Sequence, residues 1–189
     1  MSHEKDVRGK TIVITGASSG FGRGAAERLG ERGANVVAAA RRGDVLDDVV
    51  ASIAAKGGTA VAVAGDVSDP TAIARIAATA IDRFGAVDVW VNDVGVGALG
   101  LFWEVPVEDH ARVLDVNLTG LLYGSHAAMR LFVAQGHGVL VNVGSLESDV
   151  PLAYQASYAA SKAGVLSLGR TINEELRLAA STRRSRSAR

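Results

Sequence analysis

Tyr158 and Lys162 stand four residues apart in Ser157-Tyr158-Ala159-Ala160-Ser161-Lys162. On a helix that spacing puts both side chains on one face, one turn apart. An ammonium beside a phenol favours the phenolate. A phenol held that way can give or take a proton near neutral pH. Such pairs also occur on ordinary half-exposed helices, so the meaning of this one depends on what the rest of the chain brings to it.

The elements that must position the pair are legible as alternating strands and helices. Lys10 to Thr15 is a β-branched apolar run of the buried-strand type. Gly16-Ala17-Ser18-Ser19-Gly20-Phe21-Gly22 follows at once, then a helix to about Arg32 with Ala25, Ala26 and Leu29 on its apolar face. Strands are expected at Asn35 to Ala40, Thr59 to Ala64, Val87 to Val91 and Gly138 to Val143. Helices are expected at Val45 to Lys56, from Pro70 to about Phe84, from about Pro106 to Ala134 and from Tyr154 to about Ala179. Ser68 or Asp69 is the expected cap of the Pro70 helix. This alternation predicts an α/β fold, a Rossmann-like doubly wound parallel sheet in three layers.

Composition narrows the possibilities. The 189 residues suit one domain, and 48% hydrophobic content with only 3 prolines points to a packed globule rather than a disordered chain. There is no cysteine, so disulfides and thiolate metal sites are excluded. His3, His110, His126 and His137 show no ligand spacing and read as surface or packing residues; no metal is expected. Met1 to Gly9 is polar and charged, and no apolar run reaches the ~18 residues a membrane span needs. The expectation is a cytoplasmic protein with no membrane partner. The net charge is zero, but Arg183, Arg184, Arg186 and Arg189 all lie in the last nine residues. The body is therefore mildly acidic, which argues against nucleic acid as a partner. The expected organisation is a flexible 1–9, a nucleotide-binding domain over 10–180 and a basic disordered tail over 181–189.

In an open parallel sheet, ligands bind beyond the carboxyl ends of the strands. Chemistry-bearing residues fall at each of those ends. Gly16, Ser18, Ser19, Gly20, Phe21 and Gly22 follow the first strand and Arg41 and Arg42 the second. Asp66 and Val67 follow the third, Asn92 the fourth and Ser145 the fifth. Glycines between a strand and a helix N-terminus let backbone amides approach a pyrophosphate. An acid at the end of the second strand would hold a ribose 2′-hydroxyl, whereas an arginine accommodates a 2′-phosphate. Here Ala40 is followed by two arginines, so NADP(H) is expected over NAD(H). A solvated pair at the helix entry is the plainer reading of Arg41 and Arg42. Asp66 could accept a hydrogen bond from the adenine amino group or cap the next helix.

Together these residues resemble the classical short-chain dehydrogenase/reductase family. Thr15-Gly16-Ala17-Ser18-Ser19-Gly20-Phe21-Gly22 looks like its Thr-Gly-x-x-x-Gly-x-Gly cofactor loop, and Tyr158-Ala159-Ala160-Ser161-Lys162 matches its Tyr-x-x-x-Lys signature. Ser145, thirteen residues before the tyrosine, occupies the place of the family serine. Asn117, in Asp115-Val116-Asn117-Leu118-Thr119-Gly120, looks like the asparagine that completes the tetrad. The resemblance implies that Tyr158 is the general acid of carbonyl reduction and the base of alcohol oxidation. It implies that Lys162 assists the tyrosine and holds the nicotinamide ribose, that Ser145 hydrogen-bonds the substrate oxygen, and that Asn117 positions a relay water. The substrate would be a small-molecule carbonyl or alcohol. The two long helices would form the interface of a homodimer or homotetramer.

The chain departs from the family pattern in three places. Family members usually carry Asn-Asn-Ala-Gly after the fourth strand, where this chain has Asn92-Asp93-Val94-Gly95. An added carboxylate there is expected to alter adenosine-side packing or cofactor affinity. Phe21 replaces a smaller aliphatic and is expected to crowd the pyrophosphate loop. After Arg177 a typical member continues into a sixth strand, a Pro-Gly turn, a substrate lid and a seventh strand, none of which this sequence supplies. The expected sheet therefore lacks its last one or two strands, with apolar faces of the fifth strand and last helix exposed. Two functional readings follow: an NADP(H)-dependent oxidoreductase, or a nucleotide-binding, dimer-forming module with little turnover. A truncated chain that folds poorly is the third. Phe102, Trp103, Leu146, Leu152 and Tyr154 are candidate pocket residues for an apolar substrate.

Overall fold

The computed structural model describes residues 6–150 and 152–187. Five strands, β1 (Thr11–Thr15), β2 (Asn35–Ala40), β3 (Thr59–Ala64), β4 (Val89–Asn92) and β5 (Val139–Asn142), form one parallel sheet in the order β3-β2-β1-β4-β5. The order reverses between β1 and β4, which opens a crevice at their carboxyl ends. The helices are α1 (Gly20–Glu31), α2 (Gly43–Ala55), α3 (Pro70–Phe84), α4 (Val107–Leu114), α5 (Gly120–Gln135) and α6 (Ala156–Ser187). The fold is thus the expected three-layer, doubly wound parallel sheet.

β1 is buried along its whole length because both faces of the sheet are covered. Its side chains alternate between two cores. Val13 packs with Val37, Ile76, Trp90 and Phe132 on one side; Ile12 and Ile14 pack with Val36, Leu46 and Ile53 on the other. Of the two cap candidates for α3, Asp69 does the work. Its carboxylate accepts from the Thr71 amide at 2.8 Å while Pro70 occupies the first turn, where its missing N–H costs nothing.

Most boundaries fall within two residues of expectation, and the larger departures concern the long helix and the two ends of the chain. The long helix from about Pro106 to Ala134 is interrupted: Asp115–Thr119 forms a π turn between α4 and α5. The tail expected to be disordered from 181 is helical in its backbone to Ser187, as part of α6; residues 188–189 lie outside the described residues. At the other end, residues 1–5 of the expected flexible segment lie outside the described residues. Gly9 is tied down, its amide donating to Gly33 O at 2.8 Å.

β5 is the edge strand on the far side of the sheet. Val139 and Val141 are exposed there, beside a groove of about 1000 Å³ between α5, β5 and α6. Leu176, on the α6 wall of that groove, is also exposed. This matches the apolar exposure expected of a sheet that stops at its fifth strand. Among the described residues no helix is long and apolar enough to cross a membrane, and no cluster of three or more His, Asp or Glu side chains could hold a metal.

Candidate active site

A second cleft, of about 570 Å³, opens at the carboxyl ends of the strands. It gathers Gly16, Ser18, Ser19, Gly20 and Phe21 from the first loop, Arg41 and Arg42 from the second, Asp66 and Val67 from the third, and Ser145, Tyr158 and Lys162 from the far side. Residues up to 146 positions apart in sequence meet here because every strand delivers its last residue to the same edge.

The glycine loop is built for close approach. Gly16 has φ +81, and a Cβ there would collide with the backbone carbonyl of Asp93. Gly20 has φ +56, and a Cβ there would meet nothing within 4 Å, so its backbone is open. Ser19 precedes α1 without a side-chain cap, and no acid occupies the first turn. The Gly22 amide faces the Asp93 carboxylate, and the earlier amides of that first turn have no side-chain cap, as a pyrophosphate site requires. Gly22 is absent from the cleft wall. It packs beneath, where a Cβ would strike Gly16 O, so the turn requires glycine there. Phe21 is 88% exposed at the mouth of the same cleft.

Lys162 is buried on α6, and its ammonium donates to Val143 O, at the end of β5, at 2.9 Å. Its Nζ lies 5.7 Å from the centroid of the Tyr158 ring. Burial pulls the Lys162 amine below its ordinary range, and the Asp93 carboxylate opposes that shift. Ser145 Oγ accepts from the Glu147 amide at 3.2 Å, which leaves its hydroxyl proton free to donate into the cleft.

Asn117 lies in the π turn and is fully buried. Its Oδ1 accepts from Val96 N at 2.8 Å, and its Nδ2 donates to Val96 O at 2.9 Å and to Ser161 Oγ at 3.1 Å. Ser161 Oγ in turn donates to Tyr158 O at 2.7 Å. The π turn, a common device at functional sites, lets this side chain reach both segments. With both N–H groups spent and one Oδ1 lone pair left, the side chain acts mainly as a clamp between the β4–α4 loop and the helix carrying Tyr158.

Asn92 does not reach the cleft. Its Oδ1 accepts from Trp90 Nε1 at 2.9 Å, and its Nδ2 donates to Ser125 Oγ at 3.2 Å and Asn142 Oδ1 at 2.9 Å. It is a buried polar tie between β4, β5 and α5. Its side-chain amide is thus fully engaged within the fold. Asp66 is also engaged: Oδ1 accepts from the Ser68 amide and hydroxyl, and Oδ2 pairs with Arg112 at 2.8 Å.

Burial alone would raise the Asp66 carboxyl, but the Ser68 amide, Arg112 and the Ser68 hydroxyl outweigh it and hold the group at about 2. A carboxyl depressed in the folded state stabilises the fold above its unfolded value of 3.8, and that stability is lost as pH falls from there toward 2. Because the pair is partly solvated, the contribution is about 1 kcal/mol after screening. Arg112→Ala should accordingly shrink the loss of unfolding free energy between pH 5 and 3, measured by urea titration at each pH.

Two contributors escaped the sequence reading. Arg112 holds Asp66 from α4, 46 residues away. His110, buried and stacked on Phe102, donates from Nε2 to Phe102 O at 3.0 Å; that tautomer leaves Nδ1 to accept from Ser157 Oγ at 3.0 Å. His110 is a packing residue, but one that fastens the Phe102 loop to the helix turn bearing Tyr158. No local spacing signals either contact. Phe102, Trp103, Leu146, Leu152 and Tyr154, the expected pocket residues, are all exposed.

The architecture and its cleft define a Rossmann-like dinucleotide fold. Comparison with known proteins narrows this further. Residues 10–180 match the family model described as short chain dehydrogenase, and the chain belongs to that family. It is 40% identical over 173 residues to "Uncharacterized oxidoreductase YxnA" of Bacillus subtilis (strain 168), covering 91% of this chain and 49% of that protein. The chain thus spans about half the length of that curated relative. Among solved structures, a metagenomic short-chain oxidoreductase in complex with NADP superposes with a TM-score of 0.86 at 36% identity, covering 92% of this chain and 79% of that one. A short chain dehydrogenase/reductase from Burkholderia phymatum in complex with NAD gives a TM-score of 0.89 at 34% identity, covering 92% and 62%.

Proposed function

We propose that this chain is the cofactor-binding and proton-transfer core of an NADP(H)-preferring oxidoreductase that interconverts a carbonyl and a secondary alcohol. The observation that carries the reading is the single cleft that joins an uncapped glycine loop to Ser145, Tyr158 and Lys162. A nicotinamide dinucleotide fits the donor set: amides at the α1 N-terminus for the pyrophosphate, Arg41 and Arg42 at the ribose end and Lys162 at the nicotinamide ribose. When bound, the nicotinamide gives or takes the hydride.

The chain's own residues do the rest. Tyr158 delivers its phenolic proton to the carbonyl oxygen in reduction and removes the hydroxyl proton in oxidation. Lys162 places a positive charge beside the phenol, 5.7 Å from the ring centroid. Ser145 donates its free O–H to the same oxygen and stabilises the charge that develops there. Asn117 holds the Tyr158 helix against the loop that shapes the cleft floor.

Support for the 2′-phosphate assignment is the pair of arginines with no acid at the end of β2. Arg42 Nη2 donates to Ser18 Oγ at 3.3 Å, which joins the second loop to the glycine loop, and Arg41 is exposed on the cleft wall. Arg41→Ala should weaken NADPH about tenfold or more, the worth of a charge-assisted hydrogen bond, and leave NADH within about twofold. Fluorescence titration with both cofactors checks this, and equal losses would remove the assignment. Exposed Leu114, Leu122, Val133, Leu176 and Leu178 on the long helices support self-association into a homodimer or homotetramer, which sedimentation equilibrium tests. We also propose a cytoplasmic enzyme, in keeping with a chain that has no cysteine. The activity itself is tested by carbonyl-dependent oxidation of NADPH across a panel of aldehydes and ketones.

A further inference from the structure

Two acidic groups line the cleft, Asp66 and Asp93; Asp66 is paired with Arg112, and Asp93 has no part in the proposed reaction. Asp93 lies in the β4–α4 loop, and its backbone is wedged against the glycine loop: a Cβ at Gly16 would meet the Asp93 carbonyl. Its carboxylate reaches the first turn of α1, with Oδ2 3.0 Å from where a Cβ on Gly22 would stand. From the other side the charge of Lys162 acts on it. Two residues on, a Cβ at Gly95 would lie 3.7 Å from Lys162 Nζ, so this short loop separates the glycine loop from the lysine. The carboxylate therefore stands where a helix N-terminus and a buried ammonium both attract an anion.

Two anions cannot share that position without cost. A pyrophosphate bound at the α1 amides brings negative charge to a site already holding some. A carboxylate beside an incoming anion lowers its own charge by taking a proton. We propose that Asp93 is the resident counter-anion of the cleft, and that binding of the dinucleotide pyrophosphate is coupled to uptake of one proton from solvent at its carboxylate. Affinity then falls as pH rises through the range in which Asp93 ionises.

The surroundings favour this. Burial raises the Asp93 carboxyl above its ordinary range, against the pull of Lys162 and the Gly22 amide. The groups that face it are Lys162 on α6 and the Gly22 amide on α1; Tyr158, Arg41, Arg42 and Asp66 line the same cleft farther around. Lys162 also gains charge when an anion arrives, and burial lowers it from 10.5. Removing the Asp93 carboxylate by substitution separates the two contributions.

The inference rests on the dinucleotide reading above, and the test separates the two. Calorimetric titration of the 189-residue chain with NADPH, from pH 5 to 8.5 in buffers of differing ionisation enthalpy, reads affinity and proton uptake together. The wild-type chain should take up protons on the acid side and bind more weakly as pH rises. Asp93→Asn keeps shape and an acceptor for the Gly22 amide. It should lose the acid-side uptake and bind about tenfold more tightly at pH 8, as expected for removing one like charge at close range, with the difference shrinking as pH falls toward 5. Independently of any variant, the carbon-13 carboxyl titration of Asp93 should move to higher pH when NADPH is added. Binding with no acid-side proton uptake, an Asp93→Asn affinity equal to wild type at pH 8, or an unmoved titration overturns the inference alone. Absence of NADPH binding at every pH overturns the dinucleotide reading, and the inference with it.

Discussion

Tyr158→Phe should reduce kcat/KM for carbonyl reduction by about 10³-fold, within the range a positioned general acid contributes. The substitution removes one oxygen and little volume from a half-buried ring. The Lys162 ammonium keeps its bond to Val143 O, and Asn117 keeps its bonds to Val96 and Ser161. NADPH affinity should therefore stay within about twofold of wild type. Steady-state kinetics paired with a binding titration checks both halves. A large loss of cofactor affinity would mean that the phenol supports the cleft rather than the reaction.

Lys162→Met should separate activity from stability in a different way. The amine is buried, and its charge is disfavoured there. Methionine fills a similar volume without that cost, while Val143 O loses its donor, a penalty of about 1–3 kcal/mol. Relief of the buried charge offsets that loss, so the melting temperature should move by only a few degrees. Activity should fall about 10²-fold or more, since the phenol loses its neighbouring charge, and NADPH should bind about tenfold more weakly. A collapse of the melting temperature would show that Lys162 is held for the fold and not for chemistry.

Much of this site could be read from the chain because its parts are local. The glycine loop announces itself between a β-branched strand and a helix, and Tyr158 and Lys162 share one helical face by spacing alone. What escaped reading depends on partners distant in sequence. Asn92 looked like a ligand because it ends a strand at the cleft edge. Its inward rotation is set by Trp90, Ser125 and Asn142, and only the packed sheet brings those together. The π turn at Asn117 was invisible because Asp115–Thr119 is compatible with an ordinary helix. Its cause is tertiary, the bonds to Val96 and Ser161. The arginine- and serine-rich segment after Ala180 read as a loose tail, yet α6 continues through it to Ser187. Arginine is a good helix former, and an established helix propagates more easily than it starts.

Asp93 stands between these cases. Its departure from the family pattern was plain, but its neighbours were not. Only the fold shows that it faces both Lys162 and the first turn of α1.

The central claim is that the strands and helices present in these 189 residues complete a dinucleotide cleft. Equilibrium titration of the chain with NADPH, followed by nicotinamide fluorescence and by the shift in thermal unfolding, tests it most directly. Saturable binding with one site per chain, a micromolar Kd and a rise in melting temperature that grows with NADPH concentration are expected. A folded chain that shows neither saturation nor a thermal shift at millimolar NADPH would contradict it.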